Sequence, residues 1–364
     1  MRIAVTGATG NVGTALLRAL TGAGHEVVGL ARRPPPRRRD GGPTVAAHGP
    51  YADDPGVEWH SVDLTHAPGG VLRRAFRGAD AVVHLAWGFQ PTHDEAYLER
   101  LALGGTTEVL GAAADAGVRH VLHMSSLGAY SPGEGLADER HPTEGVPTSP
   151  YSRHKAAAER LLDDFHADHP SIVVTRMRPS LIGQRRGASG VLRYTLPAVV
   201  PAGAVRLLKV LPLDRAVRLQ LVHADDVADA YLRAIQARVP GAFNLAADPV
   251  LTPADLAAAL GARHVHVPFR VLRTAADLSW RLHLQQVDAG WLDMAWQLPQ
   301  LDSSRAALQL GWQPRKDAHA VLREVVAGVR EAAYDDTPIL RRRTVADGVL
   351  KALTGRPAAH RRKP

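Results

Sequence analysis

The feature that most constrains the fold stands at the start of the chain, where an apolar run leads straight into a glycine pattern. The run Arg2 to Thr6 has the character of a buried strand, and the letters TGATGNVG at 6–13 follow it and open a helical pattern. In such a strand–loop–helix unit the first glycine permits a sharp turn, the second lets a phosphate approach the backbone, and the third lets the helix pack close to the sheet. The sequence therefore predicts a dinucleotide site, with a glycine-rich structural turn as the alternative.

Short apolar runs alternate with helical patterns through the first half of the chain. The runs typical of buried strands are Arg2 to Thr6, Glu26 to Leu30, Ala81 to Leu85, His120 to Met124 and Ile172 to Arg176. Between them lie helical patterns such as Val12 to Ala23 and Thr106 to Ala116. Strict alternation implies right-handed crossovers and a parallel sheet covered on both faces. The sequence therefore predicts an α/β protein with a doubly wound parallel sheet, a Rossmann fold.

The pattern changes after about residue 178, which divides the chain into two expected units and a tail. We expect residues 1–177 and 216–250 to form the NAD(P)-binding Rossmann domain, including a helix at Ala224 to Gln236 and a strand at Phe243 to Ala246. Residues 178–215 and 251–335 are expected to form a smaller, mainly helical C-terminal lobe that binds substrate. A Pro-, Arg- and Gly-rich stretch at 34–55 has no periodicity and is expected to be a surface insertion.

The formal net charge of +8 is concentrated in the expected basic C-terminal tail, residues 336–364. Its last part, 341–364, holds eight Lys or Arg residues and one acid, so the rest of the chain is nearly neutral. This distribution favours a solvated tail on an enzyme body over a dedicated nucleic-acid or membrane surface, and we expect no specific nucleic-acid partner. The chain has no apolar stretch of about 18 residues and no signal-peptide pattern, so a cytoplasmic protein without a membrane span is expected.

Residue types that are missing narrow the chemistry further. The chain has no cysteine, which excludes disulfides, thiolate nucleophiles and cysteine metal sites. Its 18 histidines are scattered without a ligand spacing, so we predict no metal. A nucleophile or an acid in this chain must therefore come from another residue type.

The end of the second predicted strand carries the signal for the choice of cofactor. The loop residues predicted to contact the dinucleotide are Gly7, Thr9, Gly10, Asn11, Val12 and Gly13. No carboxylate ends the second strand to bind a ribose hydroxyl, whereas Arg32 is placed to stack on adenine and to pair with a 2′-phosphate. NADP is therefore favoured over NAD, unless Arg32 and Arg33 simply begin the basic insertion.

A tyrosine and a lysine four residues apart stand at the start of a predicted helix. Ser149 and Pro150 form a cap and first turn, so Tyr151 and Lys155 fall on one helix face. A cation near a phenol favours the phenolate and lowers the phenol pKa, so Tyr151 can exchange a proton with a substrate oxygen while hydride moves to or from a nicotinamide. Ser125 and Ser126 end the strand before this helix, where a hydroxyl can bind the reacting oxygen or cap a turn.

Taken together, these motifs resemble the extended short-chain dehydrogenase/reductase superfamily, which includes the NAD-dependent epimerase/dehydratase family. The GxxGxxG spacing is the form found in its extended members, and the resemblance covers about residues 1–330. The other matching segments are Arg178-Pro179-Ser180, Val222 to Ala228, Phe243-Asn244-Leu245 and Leu310 to Pro314. By the family's spacing to Tyr130, the resemblance implies Ser126 rather than Ser125 as the catalytic serine.

The resemblance also implies further cofactor contacts. By analogy these are Asp63, Leu64, Leu85, Ala86, Trp87, Tyr151, Lys155 and Pro179. Ser180 is a further candidate beside the nicotinamide and substrate. Asp225 and Asp226 are expected to cap a helix rather than take part in catalysis.

The function implied is an NAD(P)-dependent epimerase or reductase that acts on a small molecule, a nucleotide sugar or a related carbonyl compound. Tyr151 would be the general acid/base, Lys155 would lower its pKa, and Ser126 would bind the reacting oxygen. Residues 178–183 lack the Asn-Val-Tyr-Gly-Pro form of sugar-nucleotide enzymes, and no Asp-Glu pair follows Ser126, which favours redox or epimerisation over water elimination. The alternatives are an NADPH-dependent carbonyl reductase of a non-sugar substrate and a non-catalytic NADP-sensing regulator; a homodimer is an open possibility.

Overall fold

A computed structural model of the protein describes residues 1–35, 56–88, 94–195, 202–282 and 287–341. Most of the predicted insertion at 34–55 and of the basic tail lies outside these ranges. The strands are β1 (Arg2–Thr6), β2 (Glu26–Ala31), β3 (Val57–Ser61), β4 (Ala81–His84), β5 (His120–Met124), β6 (Leu136–Ala137), β7 (Val173–Pro179), β8 (Leu181–Gly183), β9 (Val210–Leu213), β10 (Leu219–His223), β11 (Gly241–Leu245), β12 (Ala247–Leu251), β13 (Arg263–His266) and β14 (Gln300–Leu301).

The α-helices alternate with the strands of the first half and dominate the second half. They are α1 (Asn11–Gly22), α2 (Gly69–Phe76), α3 (Glu95–Glu99), α4 (Gly105–Asp115), α5 (Pro150–Asp168), α6 (Ala188–Thr195), α7 (Ala224–Ala237), α8 (Pro253–Leu260), α9 (Phe269–Arg281), α10 (Ala289–Gln297), α11 (Ser304–Leu310) and α12 (Ala318–Arg330). A π-helical turn, Arg100–Gly104, joins α3 to α4, and a 3₁₀ turn, Leu127–Ala129, follows β5.

The central sheet has seven parallel strands in the order β11-β7-β5-β4-β1-β2-β3. From β1 the chain builds outward to β2 and β3, then returns to the other side of β1 to place β4. The strand order therefore reverses between β1 and β4, where Thr6 pairs with His84. In a doubly wound sheet, ligands bind outside the carboxyl ends of the strands at this reversal. The predicted Rossmann fold is confirmed.

Both faces of the sheet are covered by apolar packing, because side chains alternate across each strand. Ile3 and Val5 pack into a core with α1, α7 and Trp312. Ala4, between them, packs into a second core with α2, α4 and α5. Three smaller sheets stand apart from the central one, in the orders β12-β10-β8, β13-β9 and β14-β6. The first of these joins β8 to β10 and β12, segments that the sequence assigned to different units.

The start of α7 differs from the sequence expectation. His223 caps the helix and its Nδ1 accepts the Asp225 backbone N–H at 3.2 Å, so the prediction that the aspartates cap it is wrong. Asp225 instead pairs with Arg18 at 2.9 Å, and Asp226 accepts the Arg315 backbone N–H at 3.1 Å. The imidazole takes the cap because it precedes the first turn, whereas both carboxylates lie within that turn.

The last described residues pack against the first loop of the chain. Thr337 is fully buried, and its hydroxyl donates to the Thr9 carbonyl at 3.0 Å. The Ser189 hydroxyl donates to the Leu340 carbonyl at 2.7 Å, which ties the same segment to α6. The chain therefore stays packed through Leu340, a few residues into the region predicted as a tail. Across the described ranges, every helix is too short or too polar for a bilayer crossing.

Candidate active site

The glycine loop lies against the end of β4 and leaves no room for side chains. Gly7 has a φ of +70°, and a Cβ there would stand 2.7 Å from the Ala86 nitrogen. A Cβ on Gly13 would clash with the Gly7 carbonyl oxygen. Helix α1 starts at Asn11 behind Gly10, and no side chain caps it, so its first N–H groups are open to an anion. These residues fit the pyrophosphate of a dinucleotide.

The side chains of the remaining loop residues are turned into the protein. Thr9 is buried beneath Thr337, and Val12 belongs to the core on the α1 face. Gln184 donates through Nε2 to both the backbone oxygen and the Oδ1 of Asn11, each at 2.7 Å. Their side chains are thus engaged elsewhere, so any ligand contact from these residues is made by backbone N–H groups.

Arg32 stands at the end of β2 and is held by hydrogen bonds on both sides. Its Nη1 donates to the Tyr97 hydroxyl at 2.8 Å, and its carbonyl accepts from Ser61 at 3.1 Å. Burial acts to raise the pKa of Asp63, but hydrogen bonds from Thr65 and the charge of Arg32 outweigh it and lower that pKa. Arg32 and Asp63, predicted separately as cofactor contacts, are therefore close enough to interact, and Arg32 is half-buried.

Three other predicted cofactor residues contribute to packing. Leu64 is buried beside Gly105 in the core on the α4 face. Leu85 is half-buried and packs against the opposite core. Pro179 is buried at the end of β7, where it pairs with Leu245.

Tyr151 and Ser126 meet at the carboxyl end of β5. Helix α5 begins behind Ser149, whose Oγ accepts a backbone N–H, which confirms the predicted cap. The Ser126 hydroxyl hydrogen-bonds the Tyr151 phenol and accepts the Gly128 backbone N–H at 3.0 Å. Burial raises the pKa of Tyr151 to about 12, and the Ser126 hydrogen bond acts in the opposite direction. The expected lowering of this pKa by Lys155 is therefore not found, and at neutral pH the phenol is protonated.

Lys155 lies one helical turn from Tyr151 and is almost completely buried. Its Nζ donates to the Met124 carbonyl at 2.6 Å and stands 3.4 Å from the centroid of the Trp87 ring, a cation–π contact. The same atom is 5.9 Å from the Tyr151 ring centroid. Burial lowers the pKa of Lys155 well below its usual value, and the Glu159 carboxylate acts to raise it.

Two tryptophans enclose the phenol ring of Tyr151. Trp87 meets it edge-on with ring centroids 6.5 Å apart, and Trp291 lies 4.9 Å away at 31° between ring planes. Trp291 belongs to α10, so the C-terminal half of the chain supplies part of this site. No signal in the sequence indicated that Trp291 would contact Tyr151.

His84 is a further residue that the sequence did not assign to the site. It is buried between two hydroxyls: its Nδ1 lies 2.7 Å from Thr6 Oγ1 and its Nε2 lies 3.1 Å from Thr106 Oγ1. Because Thr106 donates its own proton to the Ala102 carbonyl, it must accept from Nε2–H, and Nδ1 then accepts from Thr6. Burial lowers the pKa of His84 to about 3, so the neutral ring joins β1, β4 and α4.

A surface cavity of about 440 Å³ lies apart from these residues. It is lined by Leu136, Ala137, Asp138, Arg140, His141 and Asp302, none of which belongs to the groups described above. Within the described ranges, His, Asp and Glu side chains nowhere form a group of three placed to bind a metal.

A glycine loop at the reversal point of a parallel sheet, with a protonated tyrosine and a buried lysine at the next strand ends, marks the chain as a Rossmann-fold protein. The chain belongs to the NAD-dependent epimerase/dehydratase family, whose model matches residues 3–246.

Relatives agree with this assignment. An uncharacterised protein of Mycobacterium tuberculosis is 29% identical over 332 residues, which cover 91% of this chain but only 30% of that protein. A second relative, from Stigmatella aurantiaca, is named as a 4-hydroxy-2-methyl-3-oxo-4-farnesyl-3,4-dihydroquinoline-1-oxide ketoreductase. It is 27% identical, and the alignment covers 86% of this chain and 92% of the ketoreductase. The solved UDP-glucose 4-epimerase of Thermus thermophilus, in complex with NAD, is 21% identical with a TM-score of 0.65 and covers 91% of this chain and all of its own, which shows a shared fold.

Proposed function

We propose that the protein transfers hydride at a carbinol or carbonyl carbon, with Tyr151 as general acid/base, Lys155 as its charged neighbour and Ser126 as the group that binds the reacting oxygen. The observation that carries the proposal is the meeting of Tyr151 with Ser126, one helical turn from the buried Lys155 side chain, at the strand ends next to the glycine loop. When bound, the nicotinamide cofactor supplies or accepts the hydride.

The protonation state of Tyr151 suits the role of general acid. A phenol whose pKa is raised to about 12 carries its proton at neutral pH, and in the reductive direction Tyr151 gives this proton to the carbonyl oxygen. The Ser126 hydroxyl, next to that phenol, donates a second hydrogen bond to the same oxygen and stabilises its developing charge. Lys155 then lies near the phenolate that remains, and its ammonium favours that anion.

The cofactor proposal is NADP in preference to NAD. It is supported by Arg32, whose half-buried guanidinium stands at the end of β2, where the sequence offers no carboxylate for a ribose hydroxyl. The Tyr97 hydroxyl holds this guanidinium at 2.8 Å. A 2′-phosphate at the same place would form charge-assisted hydrogen bonds with it.

For the substrate we propose a nucleotide sugar or a related carbonyl compound, in keeping with the epimerase/dehydratase family. A carbonyl reductase of a non-sugar substrate is the second candidate. It is supported by the two tryptophans around Tyr151, which offer apolar contact area beside the reacting oxygen, and by the Stigmatella relative, which is named as a ketoreductase.

Fluorescence titration with NADPH and NADH, followed by a screen of sugar nucleotides and ketones for cofactor turnover, tests the proposal. We expect tighter binding of NADPH than of NADH, and we expect Tyr151→Phe to reduce turnover by about 10²- to 10⁴-fold. A clear preference for NADH would contradict the cofactor assignment.

The same variants separate the enzyme from a cofactor-sensing regulator. A sensor needs the dinucleotide but no proton donor. If Tyr151→Phe kept every activity and phenotype while Gly10→Asp, which places a carboxylate in the phosphate loop, abolished them, the regulator would be the better description.

A further inference from the structure

Three successive residues at the end of β5 are each bound by a different residue of α5. The Lys155 ammonium donates to the Met124 carbonyl, the Ser125 hydroxyl donates to Glu159 at 2.5 Å, and the Tyr151 phenol meets Ser126. The helix residues are four apart, so they form one stripe along the face of α5 that meets the strand end. The mechanism proposed above uses Tyr151 and Lys155 of this stripe and gives Glu159 no role.

Glu159 is 1% exposed and lies at the centre of an ionic cluster. Arg178 binds it through Nε and Nη2, both at 2.8 Å, and Arg176 donates from Nη1 at 3.0 Å. Burial acts to raise the pKa of Glu159, but the two guanidinium groups and the Ser125 hydroxyl lower it to about 2. The side chain is therefore a carboxylate at neutral pH, with both oxygens occupied by donors.

Hydrogen bonds also tie this ionic cluster to strands β7 and β11. Arg178 also donates to the Tyr130 hydroxyl at 3.0 Å, and that hydroxyl donates to Asn244 Oδ1 at 2.7 Å. Strand β7 thus reaches through Glu159 to the helix and through Tyr130 to β11. A planar guanidinium bound by two parallel hydrogen bonds fixes the position of its carboxylate in both distance and direction.

We propose that Glu159 is a positioning residue for the reaction. It fixes the position of α5 relative to the end of β5, so that Tyr151 meets Ser126. It also supplies the negative charge that keeps Lys155 an ammonium. This inference rests on the proposed function, because it concerns the same tyrosine and lysine.

The charged and titratable surroundings of Lys155 support the electrostatic half of this role. Its Nζ is faced by Tyr151 and Glu159 from its own helix, by His84 from β4 and by His123 from β5, while Arg176 and Arg178 of β7 contact Glu159. Burial lowers the pKa of both histidines, so they stay neutral. The Glu159 carboxylate therefore opposes the burial that favours loss of the Lys155 proton.

The pH profile of kcat for Glu159→Gln tests the proposal. Removing the carboxylate leaves two uncompensated guanidinium groups behind Lys155, so the lysine loses its proton at a lower pH. We expect the alkaline limb of the kcat profile to move down by about one pH unit or more. At neutral pH kcat should fall about 10- to 100-fold, because the phenol is misplaced, while KM changes by less than about twofold.

Two further variants keep the test decisive if Glu159→Gln folds poorly. Ser125→Ala removes one anchor without changing any charge, so it should lower kcat without moving the alkaline limb. Glu324→Gln removes a carboxylate that Lys316 and His223 bind away from the site, and serves as the matched control with an unchanged profile.

The outcomes separate this inference from the proposed function. If Tyr151→Phe is inactive while Glu159→Gln keeps the wild-type pH profile and kcat, Glu159 has a structural role and the inference fails alone. The inference also fails if both Glu159→Gln and Ser125→Ala change only the unfolding temperature. If Tyr151→Phe retains full activity, the proposed function itself is wrong.

Discussion

At the scale of single residues, burial keeps His84 and Tyr151 in their uncharged forms. The pKa of His84 is lowered to about 3 and that of Tyr151 is raised to about 12, in both cases chiefly by burial. A neutral His84 both donates and accepts a hydrogen bond, so it can join Thr6 to Thr106. Protonation would place a second donor against the Thr6 hydroxyl, which would have to turn away.

The acid stability of the protein should report this histidine. An unfolded His takes up a proton near pH 6.5, whereas native His84 stays neutral down to about pH 3. The free energy of unfolding therefore falls as the pH drops from about 6.5 to about 3. We expect His84→Gln, which still donates and accepts, to reduce this loss by roughly 1.4 kcal/mol per pH unit between about pH 6 and pH 4. Urea unfolding across that range measures it. The exposed His166→Gln is the control, and an unchanged slope in His84→Gln would contradict the assignment.

At the scale of elements, the 3₁₀ turn after β5 packs directly against the phenol ring of Tyr151. A Cβ added to Gly128 would lie 2.9 Å from Cε1 of Tyr151, closer than side chains pack. The same turn donates the Gly128 N–H to Ser126. One short turn therefore fixes both partners of the Ser126–Tyr151 contact.

Gly128→Ala should displace the ring while the fold persists. We expect kcat to fall about tenfold or more from the shift in the proton donor, with an unchanged Kd for NADPH. Gly111→Ala on α4 is the matched control, since nothing lies within 4 Å of its Cβ, and it should raise the free energy of unfolding by about 0.5–1 kcal/mol. A Gly128→Ala enzyme with wild-type kcat would show that the ring can move freely.

The sequence predicted the buried strands of the central sheet well, but it missed the half-exposed strand β3. Strands β1 and β5 have the predicted bounds, because each is a short apolar run with both faces covered. Strand β3 was missed because it lies at the sheet edge, and its residues Val57–Ser61 are exposed or half-buried. Its alternation of apolar and polar residues, Val57-Glu58-Trp59-His60, is only four residues long and follows the aperiodic stretch at 34–55.

For the candidate site, residues near in sequence were predictable and those joined by tertiary packing were not. Tyr151 and Lys155 are one helical turn apart, so the sequence alone predicts that they share a face. Glu159 continues the same stripe, but its partners come from strands β5 and β7. Trp291 comes from a helix about 140 residues later in the sequence, and only the folded chain shows that it covers Tyr151.

At the scale of the whole molecule, the glycine loop is supported by segments from the other end of the chain. Thr337 binds the Thr9 carbonyl, and Gln184 holds Asn11 from the segment after β8. The loop that the sequence presents as a local motif is thus held by residues more than 170 positions away.

Two changes near the carboxyl terminus should therefore have different effects. Deleting residues 342–364 removes most of the basic charge, so retention on heparin should fall and become less sensitive to salt while NADPH affinity stays the same. Thr337→Val keeps the tail but removes the hydroxyl that binds Thr9, so NADPH affinity should fall by about 5- to 10-fold, the worth of one hydrogen bond. Fluorescence titration of both variants checks this, and equal affinities would show that the contact does not support the loop.

The contact between Thr337 and Thr9 also bears on synthesis of the chain. The glycine loop leaves the ribosome before the hydroxyl that supports it, because Thr337 is translated 328 residues after Thr9. A nascent chain that has already formed its central strands still presents this loop without its final support, so the loop is completed only after Thr337 has been translated.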